Sequence, residues 1–176
     1  MPFAINFIRT TASNTNQNNK RGWFSFYKGV PTFYFENDFI SSFSFGGIFI
    51  NTKYEKENTL DHEWGHTRQM LLLGVGDFFN MIGLPSIITN LIDRDYEVDY
   101  YNMPWEITTD MFEEVTRDVH TDTAKNIGVA YLATSEFVSN TFVKPMMLPV
   151  YTTATALLDG VIPGLGTTLL TIMYTS

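Results

Sequence analysis

Two of the three histidines in the chain stand four residues apart in the stretch NTLDHEWGHTRQMLLLG, Asn58 to Gly74, with a glutamate directly after the first. An α-helix advances 100° per residue, so His62 and His66 project from one face, one turn apart. Two imidazoles in that relation can share a tetrahedral zinc ion. Glu63 is turned one residue away from them. Its carboxylate then stands beside the open metal position, where it can take a proton from water and pass it to a leaving amine. With 3 His and 9 Glu in 176 residues, His-Glu-x-x-His arises by accident in roughly three chains per thousand of this composition. The pattern therefore outweighs the plainer reading of three polar residues on an amphipathic helix.

Zinc needs a third protein ligand. Leu72 occupies the place where a third histidine would extend the motif, and His120 is the one remaining histidine. Glu106 is the better choice: it follows His66 by 40 residues and begins a second helix that can face the first. Without a metal it would read as a first-turn acid on a helix dipole. Asp110, one turn later on the same face, can accept a hydrogen bond from a ligand imidazole and fix its tautomer; its plainer reading is a solvated helix position. If the helix from Pro104 runs unbroken to His120, the 14 residues after Glu106 span roughly 21 Å, and His120 cannot reach the metal. Tyr100, Tyr101 and Tyr131 are candidate donors to a developing oxyanion, although each reads first as a packing residue.

HEWGH followed by Glu-x-x-x-Asp on a later helix resembles the gluzincin metallopeptidases. That resemblance implies Glu106 as third ligand and Asp110 as its outer partner. A closer likeness runs over Phe43–Val115, about two-fifths of the chain. It comprises a glycine-bearing strand, NTLDHEWGHTRQ, IGLPS and YYNMPWEITTDMFEEV. This set is similar to small zincin-like domains found alone or at the C-terminal ends of bacterial Rhs/YD-repeat toxins. Those domains often carry a His-Glu-Tyr/Phe-Gly-His-x-x-Gln core and a Pro-Trp-Glu-x-x-Ala-Asp segment. Thr109 stands where they tend to have Ala, a change too small to disturb ligation. The resemblance implies a zincin-like fold and a bound zinc ion more firmly than it implies any substrate.

Several elements must position these residues. The polar tract TTASNTNQNNK suggests a mobile arm over residues 1–20, with the folded domain from Arg21 to Ser176. Between Gly22 and Thr52 the chain is aromatic and β-prone, and WFSFYKG, PTFYFEN and FISSFSFGGIFIN read as three antiparallel strands, the last with a bulge at Gly46-Gly47. Asn58 or Thr59 can cap the motif helix, Asp61 suits its first turn and Gly74 stops it. Leu60, Trp64 and Leu71 form its packing face. VGDFFNMIGLPSIITNLI, broken by Gly83 and Pro85, reads as two short buried helices. Pro104 opens the second ligand helix, and TDTAKNIGVAYLATSEFVSNTFVK reads as another. The fold class expected is thus α+β: a zincin-like single domain with an N-terminal aromatic sheet and a helical remainder.

Composition bounds the partners. A net charge of -8 argues against nucleic acid, which needs clustered Lys and Arg. The absence of cysteine removes disulfides, thiolate zinc sites and cysteine nucleophiles. The N-terminus lacks the pattern of a secretory signal, which leaves a toxin-delivery route and a cytoplasmic location both open. Asp93, Asp95, Glu97 and Asp99 alternate as if to gather calcium, but Val98 stands where an EF-hand loop requires glycine, so they read as a solvated loop. The apolar tail, residues 145–176, carries Asp159 as its one charge. Its uninterrupted runs are too short for a spanning helix. A tail buried against the core is the first reading, and membrane contact the second. The function expected is zinc-dependent hydrolysis of a peptide or protein substrate. The rival is a non-catalytic binding or toxin-accessory module with a structural zinc ion.

Overall fold

The computed structural model describes residues 23–38, 40–92, 100–117 and 120–175. The expected N-terminal arm and the Asp93–Asp99 loop lie outside them. The class is α+β, with a small mixed sheet followed by helices. By contact density the chain divides into two compact units, Met1–Thr67 and Arg68–Ser176, and the border falls inside one helix, α1 (Thr59–Leu73).

The first unit holds the sheet and the N-terminal half of α1. Strands β1 (Trp23–Tyr27) and β2 (Val30–Phe35) form an antiparallel hairpin. Its two-residue turn is Lys28-Gly29, with φ of 47° and 88°, the paired positive values of a hairpin turn that follows the strand twist. The third aromatic stretch does not make one strand. It splits into β3 (Phe43–Ser44) and β4 (Ile48–Asn51), an antiparallel pair reversing at Phe45-Gly46-Gly47 with Gly46 at φ 67°. The glycine pair is thus a turn and not a bulge. Because that reversal places β3 on the outer edge, β4 runs parallel to β2, and the order is β1-β2-β4-β3. The all-antiparallel expectation is corrected accordingly.

Alternation then sorts the two faces of the sheet. Thr32, Ile48 and Ile50 are fully buried, while Phe24, Phe33, Phe49 and Phe43 form a ring-to-ring ladder on the opposite face, at centroid separations of 4.7–5.1 Å. Buried Asn51 holds the β2–β3 connection: its amide donates to Asn37 O at 2.7 Å and to Ile40 O at 2.5 Å. Tyr27 and Lys28 reach α1, both donating to Asp61 Oδ1, at 2.5 and 2.9 Å. Burial opposes charge on Asp61, but those two bonds hold its carboxyl below the usual range.

The second unit is helical. Gly74, at φ 79°, ends α1 and begins α2 (Val75–Phe78). A π-turn, Phe79–Gly83, carries the helix on into α3 (Leu84–Ile92) without a break. The two short helices expected here are therefore one rod with a local insertion. Phe78, Met81 and Ile82 form its buried face, with Met70, Leu73, Trp105, Tyr131 and Leu132 packed around them. Leu71, assigned above to the packing face of α1, is exposed; Met70 and Leu73 take that role.

The ligand helix, α4, spans Pro104–Phe112 and opens on Pro104 after extended Met103. It is shorter than expected. Arg68 donates to Phe112 O at 2.8 Å, and Glu114 takes a left-handed φ of 56°, so the chain turns there. Helix α5 (Asp122–Val138), capped by the Thr121 hydroxyl, lies against α4 across Gly128. A Cβ on Gly128 would come within 3.2 Å of Pro104 O. A second π-turn (Ser139–Val143) leads into α6 (Lys144–Val161), and α7 (Leu165–Thr175) packs back on α6.

Candidate metal centre

The motif residues lie in the first two turns of α1, as their spacing requires. The His62 and His66 rings stand edge to face, with centroids 4.9 Å apart and planes at 84°. Both are buried, as is Glu63 between them in sequence. Ser44 on β3 holds that glutamate: its hydroxyl lies 2.6 Å from the Glu63 carbonyl oxygen and 2.9 Å from Oε2. An edge strand thus orients the carboxylate proposed as base.

One turn beyond His66, fully buried Gln69 donates from Nε2 to Trp105 O and to Thr108 Oγ1, each at 2.7 Å. Both acceptors belong to α4. Glu106, on the same helix, is fully buried. One potential ligand atom from each of His62, His66 and Glu106 lies within 4.8 Å of the others. Ser86 of α3 donates to Glu106 Oε1 at 3.1 Å, and Tyr100 OH meets Ser86 Oγ at 2.7 Å. An ionised carboxylate only accepts. The Ser86 proton therefore points at Glu106, and Tyr100 supplies the proton to Ser86.

Asp110 is also fully buried. Arg117 Nε donates to its Oδ2 at 2.5 Å, while the guanidinium lies 3.7 Å from the centroid of the Tyr101 ring. His120 Nε2 is 3.5 Å from the same Asp110 oxygen and 3.3 Å from Tyr101 O. A solvated Asp110 and a His120 far along a continuous helix are both corrected. Because α4 ends at Phe112, the chain folds back and brings His120 to Asp110.

Of the three tyrosines weighed as oxyanion donors, two have their hydroxyls engaged, Tyr100 OH with Ser86 and Tyr131 OH donating to Met81 O, while Tyr101 carries the Arg117 guanidinium over its ring. Ser44, Ser86, Arg117 and His120 are the site residues that motif reading missed. The two serines had one visible signal, a small hydroxyl inside an apolar run, in SFSFGG and GLPSII.

Compared with protein-family models, with curated proteins and with solved structures, the chain matches none.

Proposed function

We propose that this protein is a zinc-dependent hydrolase acting on peptide bonds. The observation that carries the reading is the convergence of His62, His66 and Glu106 donor atoms within 4.8 Å, all buried, beside the buried carboxylate of Glu63. Two imidazole nitrogens and one carboxylate oxygen match the donor set of catalytic zinc sites, which keep a fourth position open. Without thiolates the set does not suit the softer copper(I) or iron–sulfur alternatives. Zinc held there supplies Lewis-acid polarisation of a substrate carbonyl and a nucleophile at neutral pH.

The protein's own groups do the rest. Glu63 accepts the proton of the attacking water and returns it to the leaving amine. Ser44 restricts the Glu63 carboxylate to one orientation. Ser86 ties Oε1 of Glu106 and so fixes the orientation of that carboxylate. Asp110, one turn after Glu106 on the same helix and held by Arg117, is the proposed outer partner of the ligand set.

The test is metal analysis followed by digestion of a broad peptide library. The purified protein should hold about one zinc per chain. Glu63→Gln keeps the shape of the side chain and cannot take the proton. It should retain the zinc and cleave about 10²–10⁴-fold more slowly. A wild-type protein that binds zinc and cleaves nothing would instead favour a structural zinc in a non-catalytic module. A protein that binds no zinc would end the proposal.

A further inference from the structure

Helix α6 is amphipathic in the reverse sense of a surface helix in a water-soluble protein. The stripe turned inward is Lys144, Met147, Tyr151, Thr155 and Asp159, at successive helical turns and mostly polar. Each polar member has an internal partner. Lys144 Nζ pairs with Asp77 at 2.9 Å, and Tyr151 OH donates to Asn80 Oδ1 at 2.6 Å. Thr155 donates to Tyr151 O at 2.7 Å, and Asp159 accepts from the backbone of Gly166 at 2.6 Å and of Thr167 at 3.1 Å. The outward face carries Met146, Val150, Leu157 and Val161, with Leu157 and Val161 71% and 79% exposed. Folding in water normally produces the opposite arrangement.

The hydroxyls on the exposed side add a second observation. Thr152, Thr153, Thr168, Thr171 and Thr175 each donate to the carbonyl four residues earlier in their own chain, at 2.7–2.9 Å. The outer face therefore directs no threonine donor outward. A protein partner would ordinarily be met with about one hydrogen bond per 100–200 Å²; hydrocarbon asks for none and penalises any left unsatisfied. Close helix contact through small residues is a further feature of packing in lipid. Gly166 lies so near α6 that a Cβ there would be 1.8 Å from Thr155 O.

We infer that the outer face of α6 and α7 docks on the acyl-chain region of a lipid bilayer. Charge complementarity selects this occupant. From Pro145 to Ser176 there is no Lys or Arg, and the one acid, Asp159, is turned to the start of α7. Such a face has nothing to offer anionic headgroups and fits an uncharged apolar layer. No helix among the described residues is long and apolar enough to cross a membrane, so the pair lies in the plane of the bilayer.

The test is flotation of the full chain with phosphatidylcholine vesicles, with and without phosphatidylserine, at low and high salt. The protein should float with both kinds of vesicle and stay bound at high salt. The double substitution Leu157→Gln with Val161→Gln should weaken partitioning at least tenfold, while helix content by circular dichroism stays unchanged. Met146→Gln, on the same outer face, should weaken it in the same direction. Wild-type protein that remains unbound would overturn the inference, as would binding that requires phosphatidylserine and fails in salt. A dimer that the same substitutions convert to monomer would assign the face to a second copy of the chain and would also overturn it.

Discussion

Ser86→Ala removes one hydroxyl and nothing else from the surroundings of Glu106. In the intact protein that hydroxyl donates to Glu106 Oε1 at 3.1 Å and is itself backed by Tyr100 at 2.7 Å. A hydrogen bond to a charged group contributes about 1.5–3 kcal/mol. The 3.1 Å separation lies beyond the usual range for a hydroxyl donor, so the lower end applies. At about 1.4 kcal/mol per decade, the expected loss in zinc affinity is about tenfold, the lower bound for outer partners of metal ligands. The assay is competition with a chromophoric chelator at fixed pH, with thermal melting of the metal-free protein as control. Ser86→Thr should recover most of the affinity, and Tyr100→Phe should lose less than Ser86→Ala, because it removes only the support behind the serine. Glu106→Ala gives the scale, since it should weaken binding well beyond tenfold. If Glu106→Ala loses zinc and Ser86→Ala does not, the serine has no positioning role. If neither loses zinc, Glu106 is not a ligand.

Three further outcomes follow from other parts of the structure. Ser44→Ala should lower kcat with KM and zinc content nearly unchanged, and Ser44→Thr should restore it; equal losses in Ser44→Ala and Ser44→Thr would deny the hydroxyl its role. Lys144→Met leaves Asp77 charged and buried, so chemical denaturation should show a loss of about 3–5 kcal/mol, whereas the double change with Asp77→Leu should be close to neutral. Burial pushes the Tyr131 phenol up to about 12 from an ordinary 10. Its contribution to stability is therefore complete below pH 10 and is lost as pH rises through about 12. Tyr131→Phe should flatten the stability profile in that window, as read by denaturant midpoints.

What was legible in the sequence was local. Pro104 and Gly74 marked helix ends because their backbone chemistry acts where they stand, and the His62–His66 spacing implied a shared face before any neighbour was known. What depended on distant partners was not legible. The parallel pairing of β2 with β4 is decided by which strand takes the edge after the Gly46-Gly47 reversal. Helix α4 stops at Phe112 because Arg68, 44 residues earlier in the chain, supplies a donor to its last carbonyl, while Glu113 and Glu114 are themselves good helix formers. That early stop is also why His120 was misplaced. The apolar tail was read by composition, which does not say which face of a helix turns inward. Here the buried stripe is the polar one, so a tail buried against the core is only partly what the chain builds.

The π-turn at Phe79–Gly83 has a consequence for how this chain tolerates length change. Asp77, upstream of it, pairs with Lys144, and Asn80, near its start, accepts from Tyr151; downstream, Ser86 serves Glu106. A helical rod advances 100° per residue, so deleting one residue of the turn after Asn80 would leave an ordinary α-helix with everything after it rotated by about that angle. Asp77 and Asn80 would keep their partners, and Ser86 would swing away from its carboxylate. The rod behaves as a screw whose extra thread sets the phase between two clients. A one-residue deletion there should be well folded and chemically crippled, whereas in most helices the same deletion costs the fold first.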